Sequence, residues 1–485
     1  MEKERKISNA DLNALGIKDL ELLVDFSRVA NGLLKNQVMD REVILEHLEA
    51  LLDEPRSYIN KTSGKFKNLA EKVIALQKKG KLIKKENDIL PLRETLIGFP
   101  VFGREHIEEG AFGQMNTAMR LPVAVAGALM PDAHQGYGLP IGGVLATTID
   151  SIIPFAVGVD IACRMCLSVF DMPASVIDRD KDKLKKLLTD HTVFGMGGIT
   201  RSHYDTSLFD SPQWKATKVI RDLRDKAYSQ LGTSGTGNHF VEWGELSTEQ
   251  DTPEGLRAGT YLALLSHSGS RGFGAGIANH YSGIAMKKTK LPGEAKHLAW
   301  LDMNSEEGQE YWIAMNLAGD YASANHHEIH NKIAKAINRT PLLRIENHHN
   351  FAWKEKLADG TEVLVHRKGA TPAGKGVLGI IPGSMSTPGF VVRGKGDPDS
   401  INSASHGAGR LMSRNAAFKT LKRDLVEAEL AHKKITLLGS DLDEAPMVYK
   451  DIHTVMAAQK DLVEVLASFQ PRIVRMANPK ERPED

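Results

Sequence analysis

Apolar residues recur at helical spacing through the first part of the chain. Leu22, Phe26, Val29 and Leu33 share one face, Ile44, Leu48 and Leu51 a second, and Leu69, Val73 and Leu76 a third. The spacing predicts a helical N-terminal extension over residues 1–95. From about Val101 the texture changes to short apolar runs punctuated by glycine, which predict strands over 142–148, 362–366 and 376–381. Helical periodicity is interleaved at 173–188, 211–230, 306–337 and 451–466. Strand and helix do not alternate regularly, so the pattern predicts an α+β fold of mixed β-sheets with surrounding helices over residues 96–485, and not a doubly wound sheet.

Composition adds little to that picture. The chain has 485 residues, 41% hydrophobic and 25% charged, with a net charge of +1, an ordinary globular composition whose overall charge does not point to nucleic acid. One segment departs from it: between Lys61 and Lys85 there are nine lysines and a single acid, Glu71. The simpler reading is a solvated helix face, and the sharper one a surface for a phosphate backbone. Residues 1–15 are polar without an apolar signal region, and the longest near-apolar run, 121–130, is too short to span a bilayer. The expectation is a cytoplasmic protein without a membrane partner, in which Cys163 and Cys166, the two cysteines, form no disulfide framework.

Candidate chemistry lies in glycine-flanked loops. Residues 403–410 place His406 among small residues before a stretch, 411–421, that reads as helical. A helix start there would be capped by Ser403 or Ser405. It would favour phosphate oxygens, keep the imidazole neutral and nucleophilic, and set Arg410 one turn along the same face. Further polar loops carry Asp132 and His134, Asp160 and Cys163, Asn238 and His239, His267, and His348 to Asn350. Any one of these histidines is more simply a hydrogen-bonded structural residue, but recurrence in glycine-rich loops favours a site. Asp160 and Cys163, three residues apart, suit one metal ion; thiolate and imidazoles favour zinc or iron, carboxylate and phosphate manganese. Cys166 forms a C-x-x-C with Cys163, but no second pair exists, and Met165 and Leu167 suggest a strand with Cys166 as a buried small hydrophobe. Segments 234–237, 268–272 and 382–387 have the makings of anion-cradling loops, although none fits a standard nucleotide fingerprint.

Taken in order, these motifs resemble the RtcB-type RNA ligases, which join a 3'-phosphate or 2',3'-cyclic phosphate end to a 5'-hydroxyl end. The matching segments cover roughly residues 96–478 and include Arg367 to Thr371, Asp443 to Pro446 and Tyr449 to Asp451. The resemblance implies an RtcB-like fold around a central metal cleft and a GTP- and manganese-dependent ligase of RNA repair or tRNA splicing. In it the catalytic His406 carries GMP as a phosphoramidate before passing it to the RNA 3'-phosphate. It implies two Mn2+ ions, one on Asp160, Cys163 and His239 and one on Cys163, His267 and His349. It also implies nucleotide contacts over Asn238, His239, Phe240, Val241 and Glu242, over His349 and Asn350, over Pro382, Gly383, Ser384 and Met385, and over His406, Gly407, Ala408 and Gly409. The implied partners are GTP and RNA with such ends, and an activating protein is a candidate partner.

The chain also departs from the family pattern. Ala162 and Arg164 stand where the family has glycines beside the metals, Ser386 replaces a glycine, Gly389 a serine, and Ala477 the lysine of a terminal lysine–glycine pair, with Lys480 nearby. These departures motivate one alternative, a metal-containing RNA-end-binding protein that does not ligate; a further alternative is a phosphodiesterase that opens cyclic phosphates and stops there.

Overall fold

The computed structural model describes residues 6–17, 19–35, 39–53, 55–61, 64–78 and 89–479. The chain forms two compact units, Met1–Ile89 and Leu90–Asp485.

The first unit is helical, with helices Asn9–Ala14, Leu20–Lys35, Arg41–Asp53, Pro55–Lys61 and Lys65–Lys78. Ser8 and Asp11 close the first helix with a reciprocal capping box. The apolar stripes read from the sequence meet in one core that includes Leu22, Phe26, Ile44, Leu48, Leu69 and Val73. In the last helix Leu69, Ala70 and Val73 face inward while Lys65, Lys72 and Lys78 are exposed, and Lys72 is paired with Asp25. Residues 62–63 and 79–85 of the lysine-rich segment lie outside the described residues.

The second unit is built on two large sheets. A four-stranded antiparallel sheet runs in the order Ala124–His134, Ile141–Thr148, Glu362–Lys368, Asn350–Lys356. An eight-stranded sheet runs Leu378–Ile381, Gly389–Gly394, Val463–Arg475, Phe240–Thr248, Gly259–Ser268, Arg164–Pro173, Pro341–His348, with Thr436–Leu438 added in parallel to Val463–Arg475. Helix Glu306–Ala336 packs on the strands Gly259–Ser268 and Arg164–Pro173. Its first turn is capped by Ser305, whose hydroxyl accepts from the Gly308 amide. This is the α+β architecture that the irregular order of elements predicts.

Three segments differ from the sequence expectation. No helix starts at His406: Ser403–Ser405 is a short strand paired with Ala370–Pro372, and the helix runs Arg414–Thr420 behind a Ser413 cap. Gly409, at φ +75°, and the bridge between Arg410 and Tyr449 keep the intervening chain out of helical geometry. Over 451–466 only Ile452–Ala457 is helical, and from Val463 the chain is a strand whose amides are taken by two neighbouring strands. Ladder hydrogen bonds and β-branched side chains there outweigh a weak helical period. Over 173–188 the preceding strand runs to Pro173, and the helices are Val176–Arg179 and Lys181–His191. Among the described residues no helix is long and apolar enough to cross a membrane.

Candidate active site and metal centre

Four neighbouring strands of the larger sheet bring their ends to one place. Asp160 and Cys163 lie in the turn before Arg164–Pro173, His239 immediately precedes Phe240–Thr248, His267 is near the end of Gly259–Ser268, and His349 sits between Pro341–His348 and Asn350–Lys356. The register sets Phe240 opposite His267 and Arg164 opposite both Ser268 and His348. Residues far apart in sequence are therefore adjacent in space, beside a cavity of about 690 Å³.

Cys163 is at the centre of the cluster. Its Sγ is 3.1 Å from His267 Nε2 and 3.5 Å from His239 Nε2. His239 Nε2 lies 3.0 Å from Asp160 Oδ2, and the Nε2 atoms of His267 and His349 are 3.3 Å apart. The donors form two trios that share the thiol, Asp160/Cys163/His239 and Cys163/His267/His349. Backbone carbonyls fix two of the rings, Ser234 O at 2.7 Å from His239 Nδ1 and Asn238 O at 3.1 Å from His267 Nδ1, which turns the Nε2 atoms toward the cluster. Burial pushes His267 and His349 well below the ordinary imidazole range, so both are neutral donors at pH 7. Burial also opposes the Asp160 carboxylate, but the hydrogen bond and charge of His239 outweigh it and hold the group low. Gly269 makes the approach possible, since a Cβ there would lie 2.2 Å from Asp160 Oδ1. Thiol, imidazole and carboxylate around one point suit divalent transition metals.

His406 stands beside this cluster, its ring centroid 4.8 Å from that of His349. It is positioned by Asp132, not by a helix end. Asp132 Oδ2 accepts from His406 Nδ1 at 2.7 Å, from the His406 amide at 3.2 Å and from the Gly407 amide at 3.4 Å. Burial opposes the Asp132 carboxylate, but the hydrogen bond and charge of His406, with the Lys450 ammonium, hold it below its usual range. Lys450 Nζ in turn donates to the carbonyls of Pro131 and Ala133. Gly409 packs against this segment so closely that a Cβ would lie 2.0 Å from Asp132 O.

The remaining sequence candidates divide by where their side chains point. Asn238, Phe240, Glu242, Asn350, Pro382, Gly383, Ser384, Met385, Gly407, Ala408 and Gly409 line the cavity. Burial pushes the Glu242 carboxyl well above its ordinary range. Val241, one residue out of phase on the same strand, packs instead in the core with Trp243 and Phe170. Asn350 braces the metal turn, its Nδ2 donating to Asp160 O at 3.2 Å and its Oδ1 accepting from Gly369 N at 2.8 Å. Ser384 and Thr387 hydroxyls are 2.9 Å apart at the cavity wall.

Arg410 is not one helical turn from His406. Its guanidinium is held by Glu444 Oε1 at 3.2 Å and Asp443 O at 2.6 Å, where Arg414 and the Tyr449 hydroxyl also meet Glu444. The departures from the family pattern are resolved as follows. Arg164 neither contacts the cavity nor crowds it: it points to the other face of the sheet, bonded to Glu346 at 2.9 Å and Gly319 O at 3.1 Å. Ala162 takes the left-handed conformation, φ +58°, that favours glycine. Ser386 and Ala477 are buried, Gly389 is at the cavity wall, and Lys480 lies outside the described residues.

Sequence reasoning quoted Asp132, Lys368, Glu444 and Tyr449 within motifs but gave them no role. Lys368 is nearly buried at the cavity, its Nζ 2.5 Å from Tyr137 O, and burial pushes its ammonium down to about 7. For Lys368 the available signal was a charged residue at the end of the apolar strand and directly before Gly369.

A family model described as tRNA-splicing ligase RtcB matches residues 114–215 and 209–477. The chain is similar to the RNA-splicing ligase RtcB of Escherichia coli (strain K12), 35% identical over 378 residues, covering 71% of this chain and 88% of that protein. It is also similar to the tRNA-splicing ligase RtcB of Thermococcus kodakarensis, 30% identical over 432 residues with 73% and 88% covered. A third relative is the RNA-splicing ligase RtcB of Mycobacterium tuberculosis, 30% identical over 427 residues with 74% and 98% covered.

Proposed function

The chain belongs to the RtcB family, and from that premise we propose that it is an RNA ligase of RNA repair or tRNA splicing that uses GTP and joins 3'-phosphate or 2',3'-cyclic phosphate ends to 5'-hydroxyl ends. The observation that carries this reading is the pairing of His406 Nδ1 with Asp132 at 2.7 Å beside the thiol-centred cluster. With its Nδ1 proton donated to a buried carboxylate, the imidazole keeps a lone pair on Nε2.

In this reading His406 Nε2 attacks the α-phosphorus of GTP, an N–P bond forms, and pyrophosphate leaves. Asp132 holds the ring in one tautomer and stabilises the positive charge that develops on it, as a carboxylate does behind a histidine in a catalytic triad. A 2',3'-cyclic end is first opened by water to a 3'-phosphate and 2'-hydroxyl; GMP then passes from His406 to the 3'-phosphate, and the 5'-hydroxyl displaces GMP to form the phosphodiester. Asp160, Cys163, His239, His267 and His349 would hold two Mn2+ ions, which supply neutralisation of charge on phosphate oxygens. Glu242, whose carboxyl is pushed well above its ordinary range by burial, stands at the cavity wall as the hydrogen-bonding group for the guanine or ribose. Asn238, Ser384 and the 407–409 backbone face the same space.

The test is incubation of the full chain with α-labelled GTP and Mn(II). The expected product is an acid-labile, alkali-stable protein adduct, absent from His406→Ala, with joined RNA when both ends are supplied. An adduct that survives in His406→Ala defeats the nucleophile, and adduct without joined RNA defeats ligation.

A further inference from the structure

The other face of three of the four strands that bear the catalytic cluster, Gly259–Ser268, Arg164–Pro173 and Pro341–His348, carries a second cluster of metal-type donors. Cys166, Ser266 and Glu346 lie side by side, because Cys166 is in register with both Ser266 and Glu346. Facing them, helix Glu306–Ala336 presents His326 and His330, one turn apart and on the same side. Cys166, His326, His330 and Ser266 are all inaccessible to solvent. A helix packed on a sheet ordinarily meets it through apolar side chains, and each polar group buried there needs a compensating partner.

The geometry of the donors is that of a ligand set with its outer supports in place. One ligand atom from each of Cys166, His326 and His330 lies within 4.8 Å of the others. His326 Nδ1 and His330 Nε2 converge on Ser266 Oγ, at 2.6 and 2.7 Å. On their far sides, His326 Nε2 donates to Ser268 O at 3.1 Å, and His330 Nδ1 is 2.8 Å from Ser168 Oγ. A fixed partner on the outer nitrogen, with the inner nitrogen turned to a common point, is how imidazole ligands are held around metals. The His239 and His267 rings of the catalytic cluster are supported by carbonyls in the same manner.

We propose that Cys166, His326 and His330 form a separate structural site for one zinc-type divalent cation, with the Ser266 hydroxyl as a fourth oxygen donor. One sulfur and two imidazole nitrogens favour a borderline-soft ion, and the enclosure leaves no open position for substrate. On binding, the Cys166 S–H bond is replaced by a sulfur–metal bond and the proton is released to solvent. The ion ties helix Glu306–Ala336 to the strands whose ends carry Cys163 and His267, so it stiffens the catalytic cluster from behind without touching its reactants.

Because the chain has only two cysteines, cobalt(II) spectroscopy separates the two sites. Cys163→Ser removes the thiolate of the catalytic cluster. The proposal expects this variant, loaded with Co(II), to keep a near-ultraviolet thiolate-to-cobalt band, and Cys163→Ser/Cys166→Ser and Cys163→Ser/His330→Gln to lose it. A folded Cys163→Ser chain with no such band overturns the site and leaves a hydrogen-bonded serine–histidine network. Should Cys163→Ser fail to fold, metal analysis of the unmodified chain against Cys166→Ser decides: one zinc fewer per chain supports the site, and an unchanged count overturns it. Neither readout depends on guanylation or ligation, so the proposed activity stands or falls separately.

Discussion

The buried carboxylate of Asp132 lies 2.7 Å from Nδ1 of His406, across 274 positions of sequence, and takes two backbone amides of the same turn as well. The imidazole is therefore oriented by a side chain from another sheet and not by a helix end. Asp132→Asn keeps the shape but presents an amide that can offer its NH2 to Nδ1, which selects the other tautomer and withdraws the Nε2 lone pair. The expected result is a guanylation rate lower by about 100-fold or more, with some loss of thermal stability because the same oxygen accepts from the His406 and Gly407 amides. Pre-steady-state labelling with GTP measures it; a rate within twofold of the unmodified chain would remove Asp132 from the mechanism.

Removal of the shared thiol acts on both trios. Cys163→Ala takes the common donor from Asp160/His239 and from His267/His349. Affinity for manganese is expected to fall for both ions, by about 10-fold or more each, as read by metal titration. Loss of one ion with the other undisturbed would show that the thiol does not bridge.

Arg164 follows Cys163 directly, yet it serves the opposite face of the sheet. Its side chain is buried and paired with Glu346, itself partly exposed. Arg164→Gly takes one partner from Glu346, which keeps Ser323 and His327, and the donor from Gly319 O, so a loss of about 1–2 kcal/mol in unfolding free energy is expected. Manganese binding at the catalytic cluster should persist. Denaturant unfolding alongside metal titration distinguishes this from a role at the cavity.

Ala162, at φ +58°, is the converse case. Glycine relieves the left-handed conformation but adds freedom to the unfolded chain and gives up a methyl buried in the core, and the three effects together leave Ala162→Gly as stable as the unmodified chain or up to about 0.5 kcal/mol more stable. A lower melting temperature for this variant would show that the turn carries no strain.

The pH dependence of stability follows from buried neutral histidines. Burial pushes His366 down to about 4, and its Nε2 accepts from the Ile153 amide at 2.9 Å. Between pH 6.5 and 4 the unfolded chain binds a proton that the native chain refuses, so stability falls as pH drops through this window and levels off below it. The contribution of this ring is on the order of 3 kcal/mol. Urea unfolding at pH 7 and pH 5 should show a smaller difference for His366→Gln, whose amide oxygen still accepts from Ile153. An unchanged difference would rule out His366 as the titrating group.

Much of this molecule was legible along the chain, because local physics writes it there. Helical spacing marks Leu22, Phe26 and Leu48 as the inward face of the first unit, and the long periodic run over 306–337 marks the helix Glu306–Ala336. The residue types of the metal cluster stood in glycine-flanked loops and pointed to their chemistry before any distance was known. What the chain alone did not decide was direction and neighbourhood. Period-two alternation turns Glu242 to the cavity and Val241 to the core, sends Arg164 away from the cluster that its neighbour Cys163 centres, and places Cys166 among the histidines of a helix. Likewise, whether residues 463–475 form helix or strand depends on two neighbouring strands that take their amides. Such choices rest on contacts between residues hundreds of positions apart, whose energies exceed local propensity and leave no periodic trace in the sequence.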